Sequence, residues 1–127
     1  MRAPRHTVVG LALVAVAALA TAGCSRTGTG GAVRTDIAAR MQTIQAPVQM
    51  CYAVALERNR RLRGMLVLSF RAAPGTGQFD QIVVTRDEVG DEQVRTCVVD
   101  AVGQLKLETP QKTAVTVSYP INFQPAN

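Results

Sequence analysis

The pattern of apolar and polar positions changes period several times along the chain, and each change marks an element. Val8 to about Ala22 is an apolar run after a short basic head of Arg2, Arg5 and His6. From Asp36 the pattern becomes helical, with Ile37, Met41, Ile44, Val48, Cys51 or Tyr52, and Ala55 recurring every three or four positions. Pro47 interrupts this and is best placed in the first turn of a helix, where its missing N–H costs nothing. The spacing therefore predicts a looser helical lead-in over 36–45 and a main helix from Ala46 to Arg61, ended by Gly64. Met65 to Phe70 reads as a strand with Leu66, Leu68 and Phe70 on its core face. Ala73-Pro74-Gly75-Thr76-Gly77 is a turn. A second strand runs from Gln78 to about Thr85 with Phe79, Ile82 and Val84 inward. The odd spacing between Phe79 and Ile82 predicts a bulge.

Val94, Cys97, Val98, Ala101, Val102 and Leu105 then fall on one face of a helix from about Asp91 to Gln104. Asp91 and Glu92 sit at its start, where carboxylates are favoured by the helix dipole. Val115, Val117, Tyr119, Ile121 and Phe123 alternate with polar or small residues, the cleanest period of two in the chain. Pro120 lies within this strand and cannot donate to a ladder, which points to a sheet edge or to a position whose N–H would be unpaired. Helix, strand, strand, helix, strand predicts an α+β domain, two helices packed on a small three-stranded antiparallel sheet.

Composition changes the picture at the N-terminus. A charged head, a short apolar core and small residues before Cys24 are the marks of a secretion signal over 1–23. The apolar run is about 15 residues, shorter than the roughly 20 a spanning helix needs. Thr21-Ala22-Gly23-Cys24 resembles the lipobox of bacterial lipoproteins, which implies acylation of Cys24 as the first mature residue. Residue 25 is Ser rather than Asp, and by the sorting habit of enteric bacteria this favours the outer membrane. The glycine-rich stretch 24–35 reads as a flexible tether. Of the formal charge of +5, Arg2 and Arg5 belong to the leader, leaving +3 on the mature chain. That balance, with five aromatics that all fit apolar positions, is not a nucleic-acid-binding composition.

Chemistry-bearing residues are few. The single histidine, His6, falls in the leader, which removes the commonest general base and metal ligand. Asp87-Glu88 and Asp91-Glu92 read as a solvated loop and a helix start. No catalytic residue, metal or cofactor is expected. In an oxidising envelope compartment Cys51 and Cys97, on the apolar faces of the two helices, are expected to form a disulfide. Closing that loop would add about 4 kcal/mol in the chain-entropy model. Arg58, Arg60, Arg61 and Arg63 form the one notable charge cluster. They suit a helix C-terminus, and alternatively a contact with an acidic envelope surface such as lipopolysaccharide, anionic lipid or a partner protein.

Cys51-Tyr52, Ala55-Leu56, Asn59, Leu62 and Gly64 resemble the start of the AgmX/PglI C-terminal domain, a family named from gliding-motility proteins and similar to the C-terminal domain of TonB. The strand Met65 to Phe70, Cys97-Val98 and the closing Val117-Ser118-Tyr119-Pro120-Ile121-Asn122-Phe123 carry the same likeness over 46–124. Where the family usually has Asn-Pro this chain has Asn59-Arg60. Near the end of the second helix it has Gln104-Leu105-Lys106-Leu107 in place of a Trp. The long spacer and transmembrane anchor of TonB-like proteins are not expected here. The resemblance implies a non-catalytic, lipid-anchored, periplasm-facing interaction module, linked by family to gliding motility or envelope transport complexes. Its partner would be an envelope protein that adds a strand at Val115, Val117, Tyr119 and Ile121. The alternative is a structural envelope lipoprotein without a recognition edge.

Overall fold

The structure, a computed structural model, describes residues 30–126. The predicted leader, Cys24 and the first part of the tether lie outside the described residues. The element order is α1 (Gly31–Thr43), α2 (Gln45–Arg58), β1 (Gly64–Ala72), β2 (Phe79–Asp87), α3 (Glu92–Gly103) and β3 (Val115–Phe123). The three strands form one antiparallel sheet in the order β2-β1-β3. This is the α+β class expected from the sequence, with the lead-in grown into a full third helix.

Two boundaries are corrected. Residues 31–35, assigned to the tether, belong to α1: the Thr35 hydroxyl donates to the Gly31 carbonyl at 3.0 Å, and Val33 packs against the core. The core was thus reached one turn earlier than the apolar period alone suggested. The main helix, predicted to reach Arg61, stops at Arg58. There the Asn59 side chain accepts the Arg61 N–H at 3.0 Å, and Leu62 folds back into the core, its carbonyl accepting the buried Tyr52 hydroxyl. Gly64 begins β1 rather than ending the helix. Its φ is +128°, and a Cβ there would stand 2.6 Å from Glu88 Cβ, so only glycine fits.

Pro47 explains why α1 and α2 are two helices. In a continuous helix its ring would clash with the carbonyl four residues back, at Thr43. The chain turns at Ile44 (φ −105°, ψ 8°), and Pro47 falls in the first turn of α2. Buried Val48, Cys51, Tyr52 and Ala55 then form one face of that helix.

One core lies between the helices and a single face of the sheet. Leu66, Leu68, Phe70 and Ala72 project into it from β1, and Val94, Val98 and Val102 meet them from α3. Phe70 stacks on Phe79 with centroids 4.8 Å apart, and Tyr52 lies 5.0 Å from Phe123. The predicted bulge is present: between the pairs Ser69–Val83 and Arg71–Asp80, β2 carries one extra residue, with Gln81 at φ +51°. A second register shift follows at Val67–Leu68. Cys51 and Cys97 stand at disulfide distance, S–S 1.99 Å and Cα–Cα 5.8 Å, joining α2 to α3. Cys97, expected on the apolar face of its helix, lies instead on the exposed flank of α3, beside the Val94–Val98–Val102 stripe, because only one side of α3 meets the sheet. Among the described residues, no helix is long and apolar enough to cross a membrane.

Candidate interaction surface

Among the described residues β3 pairs only with β1, in an unbroken nine-residue register from Ala72–Val115 to Gly64–Phe123. Pro120 sits opposite Val67 without a register shift. A residue with no N–H keeps that register only in a non-hydrogen-bonded pair. The pairs Leu66–Ile121 and Leu68–Tyr119 therefore carry the ladder bonds. The backbone groups of Thr116, Ser118, Pro120 and Asn122 turn outward to the free edge. Three N–H groups and four carbonyls are left for another strand. These four side chains are exposed and uncharged.

Val115, Val117, Tyr119 and Ile121, the positions singled out in the sequence, are half-buried and pack against the core. They also line the shallow depressions between β3 and the first two helices. One, of about 250 Å³, is bounded by Met41, Ile44 and Val48 on the helices and by Tyr119 to Asn122 on the strand. A second contains Arg34, Ile37 and Thr116 to Tyr119. The strand thus offers backbone at its rim and apolar surface just inside it.

The arginine cluster separates on folding. Arg58 forms two hydrogen bonds with Asp91, at 3.2 and 3.3 Å, so it joins α2 to the start of α3. Asp91, expected at the start of the helix on dipole grounds, also caps α3 by accepting the Val94 N–H at 2.9 Å. That N–H first, and the Arg58 guanidinium second, hold its carboxyl below the usual range. Arg60, Arg61 and Arg63 are exposed and have no ion pair among the described residues. Arg63 borders a depression with Gly64, Asn122, Gln124 and Pro125, where the free edge of β3 ends. The structure therefore brings Arg63 to the strand and gives Arg58 to the fold.

Of the acids of 87–92, Asp87 and Glu88 act structurally, as Asp91 does. Asp87 accepts the Gly90 N–H at 2.9 Å and pairs with Arg95 at 3.4 Å. Glu88 accepts the Met65 N–H at 2.8 Å and pairs with Arg86; the first contact is the main reason its carboxyl is held low. On the open face of the sheet Arg71 clasps Asp80 with two bonds of 2.8 Å, which lowers the Asp80 carboxyl. Among the described residues no three His, Cys, Asp or Glu side chains gather as a metal-ligating group.

Sequence reasoning missed Arg34. Its neighbours in the chain gave no signal, because α1 was expected to begin after it. The contact between Asp36 and the loop after α3 was equally invisible. There Asp36 accepts the N–H groups of Glu108 and Thr109 at 3.2 and 2.9 Å, which fixes α1 in place. The chain matches no family model, and no significant match to it is found among curated proteins or solved structures.

Proposed function

We propose that this chain is a non-catalytic interaction module of the bacterial cell envelope, lipid-anchored through Cys24 and facing the periplasm. The observation that carries the reading is the open β3 edge, with outward backbone at Thr116, Ser118, Pro120 and Asn122 and apolar depressions beside it. Adding a strand to such an edge supplies main-chain hydrogen bonds for affinity and side-chain pockets for specificity. The resemblance to the AgmX/PglI and TonB C-terminal domains supports the same use, and associates the module with gliding motility or envelope transport.

A lipid on Cys24 would also orient the domain. With α1 beginning at Gly31, the tether spans Cys24 to Gly30, which reaches at most about 25 Å when fully extended. Gly30 and Val33 lie beside Val115 and Thr116 at the start of β3. Arg63 lies at its other end. The pole carrying Gly30 would face the anchoring membrane, and the arginine turn would face away from it.

The test combines mass spectrometry of the mature N-terminus with crosslinking in intact envelopes. The expected results are an acylated Cys24, release of the protein from the outer-membrane fraction by Cys24→Ser, and a defined envelope protein crosslinked to β3. An unmodified Cys24 would remove the tether and leave the edge reading standing. A domain that crosslinks to nothing along β3 would instead favour the structural alternative.

A further inference from the structure

We infer that the β3 edge receives an extended, acidic segment of a partner protein, with carboxylates meeting Arg34 at one end of the edge and Arg63 at the other. This rests on reading β3 as a recognition edge and adds the chemistry of what binds there. Four depressions follow the strand from Val115 to Gln124. Their charged lining consists of Arg34, beside Thr116 to Tyr119, and Arg63, beside Asn122 and Gln124. Among the described residues no carboxylate lines any of the four.

The two cations differ from most arginines of the fold. Arg40, Arg58, Arg71, Arg86 and Arg95 each pair with an acid. Arg34 and Arg63 have no ion pair among the described residues. The acid nearest Arg34 in the chain, Asp36, is engaged by Arg40 and by the N–H groups of Glu108 and Thr109. A guanidinium left exposed beside unpaired backbone donors and acceptors matches a ligand that supplies both a strand and a carboxylate.

The spacing selects an extended partner. From Thr116–Ser118 to Asn122–Gln124 is about six residues, or roughly 20 Å along a strand. Two acids six residues apart on a helix are separated by only about 9 Å along its axis. A strand with carboxylates about six positions apart reaches both arginines, and a helix with the same sequence does not. A second copy of this chain is disfavoured on charge. Antiparallel pairing of two β3 edges would bring the Arg63 of each toward the Arg34 of the other. Arg60 and Arg61, exposed just beyond Arg63, extend the positive field that would draw an acidic segment in.

The test places a photo-crosslinking residue at Ser118 in the full chain, in living cells, and identifies the crosslinked peptide by mass spectrometry. The expected product is an acidic segment with two carboxylates about six residues apart. Its yield should fall at least tenfold in the Arg34→Glu, Arg63→Glu double variant, with the urea midpoint of that variant unchanged as the check on folding. The synthetic form of the captured segment should bind the purified full chain and lose at least tenfold in affinity when its two acids become Gln. Crosslinking to a neutral or basic segment, to a second copy, or with a yield indifferent to charge reversal overturns the acidic assignment while leaving the edge in use. Binding of phosphatidylglycerol vesicles through Arg34 and Arg63, with no protein captured at Ser118, overturns it in favour of a membrane. No capture of any kind removes the recognition edge itself.

Discussion

The two edges of the same sheet are built in opposite ways. Along β2 the edge is closed or bent. Phe79 donates its N–H to the Leu105 carbonyl, Leu107 donates to the Gly77 carbonyl, and Gln78 forms a bridge with Lys106. Two register shifts follow, and the charged side chains of Asp80, Arg86 and Asp87 stand along the rest, with Val83 exposed between them. These are the devices by which proteins keep an edge strand from pairing with other chains. Along β3 the register is unbroken, the outward side chains are uncharged, and Pro120 is the single residue that withholds a donor. The contrast teaches that exposure of β3 is selective: one edge is protected by several means and the other by almost none.

Breaking the closed edge should have the largest effect. Phe79 is 2% exposed and stacks on Phe70, so Phe79→Ala is expected to cost about 3–5 kcal/mol in urea unfolding. Next comes Tyr119→Pro, which removes a ladder bond to β1 and should cost about 3 kcal/mol. Ser118→Pro, one residue away, removes only an outward donor and should cost about 1 kcal/mol or less while weakening strand addition. Equal losses from the two prolines would show that the outward set of β3 is not Thr116, Ser118, Pro120 and Asn122.

Reduction of Cys51–Cys97, followed by thermal melting, should lower stability by about 2–4 kcal/mol, because the bond ties α2 to α3 across 46 residues. That loss should leave the β3 edge able to capture its partner under conditions where the domain is still folded. A smaller effect separates the two sides by pH. Asp91, Glu88 and Asp80 all have carboxyls held below their ordinary values of 3.8 for Asp and 4.5 for Glu, and all lie on the β2 or α3 side. A lowered native value contributes stability that is complete above the ordinary value and is lost as pH falls through the native one. Urea midpoints should therefore be level above about pH 5 and drop below pH 4. Asp91→Asn should shrink that drop. Asp91→Ala, which also removes the cap, should cost about 1 kcal/mol at pH 7.

Much of the fold was legible because local period reports burial. The inward sets Leu66-Leu68-Phe70 and, with Cys97 wrongly included, Val94-Val98-Val102 could be read from spacing, and so could the bulge after Phe79 and the edge position of Pro120. Ends of elements were less legible. Nothing in the run Arg58-Asn59-Arg60-Arg61 says that the Asn59 side chain will take the Arg61 N–H and stop the helix. The glycines before α1 hid a helix that is held by Asp36 reaching the backbone at Glu108 and Thr109. Among the site residues, Arg58 and Arg63 looked alike in the sequence, and their fates differ only because Asp91 stands beside one of them.

The sequence by itself determined which segments after Asp36 are helix or strand, though not where each ends. It also determined most of the buried face of each, and that Cys51 and Cys97 sit on helices able to face one another. These follow from side-chain period and backbone chemistry, which act over a few residues. Tertiary structure decided the strand order, the closing of β2 by Leu105 to Leu107, and which arginines are neutralised. Those outcomes depend on groups brought together from distant parts of the chain, where distance in space, and not position in sequence, sets the energy.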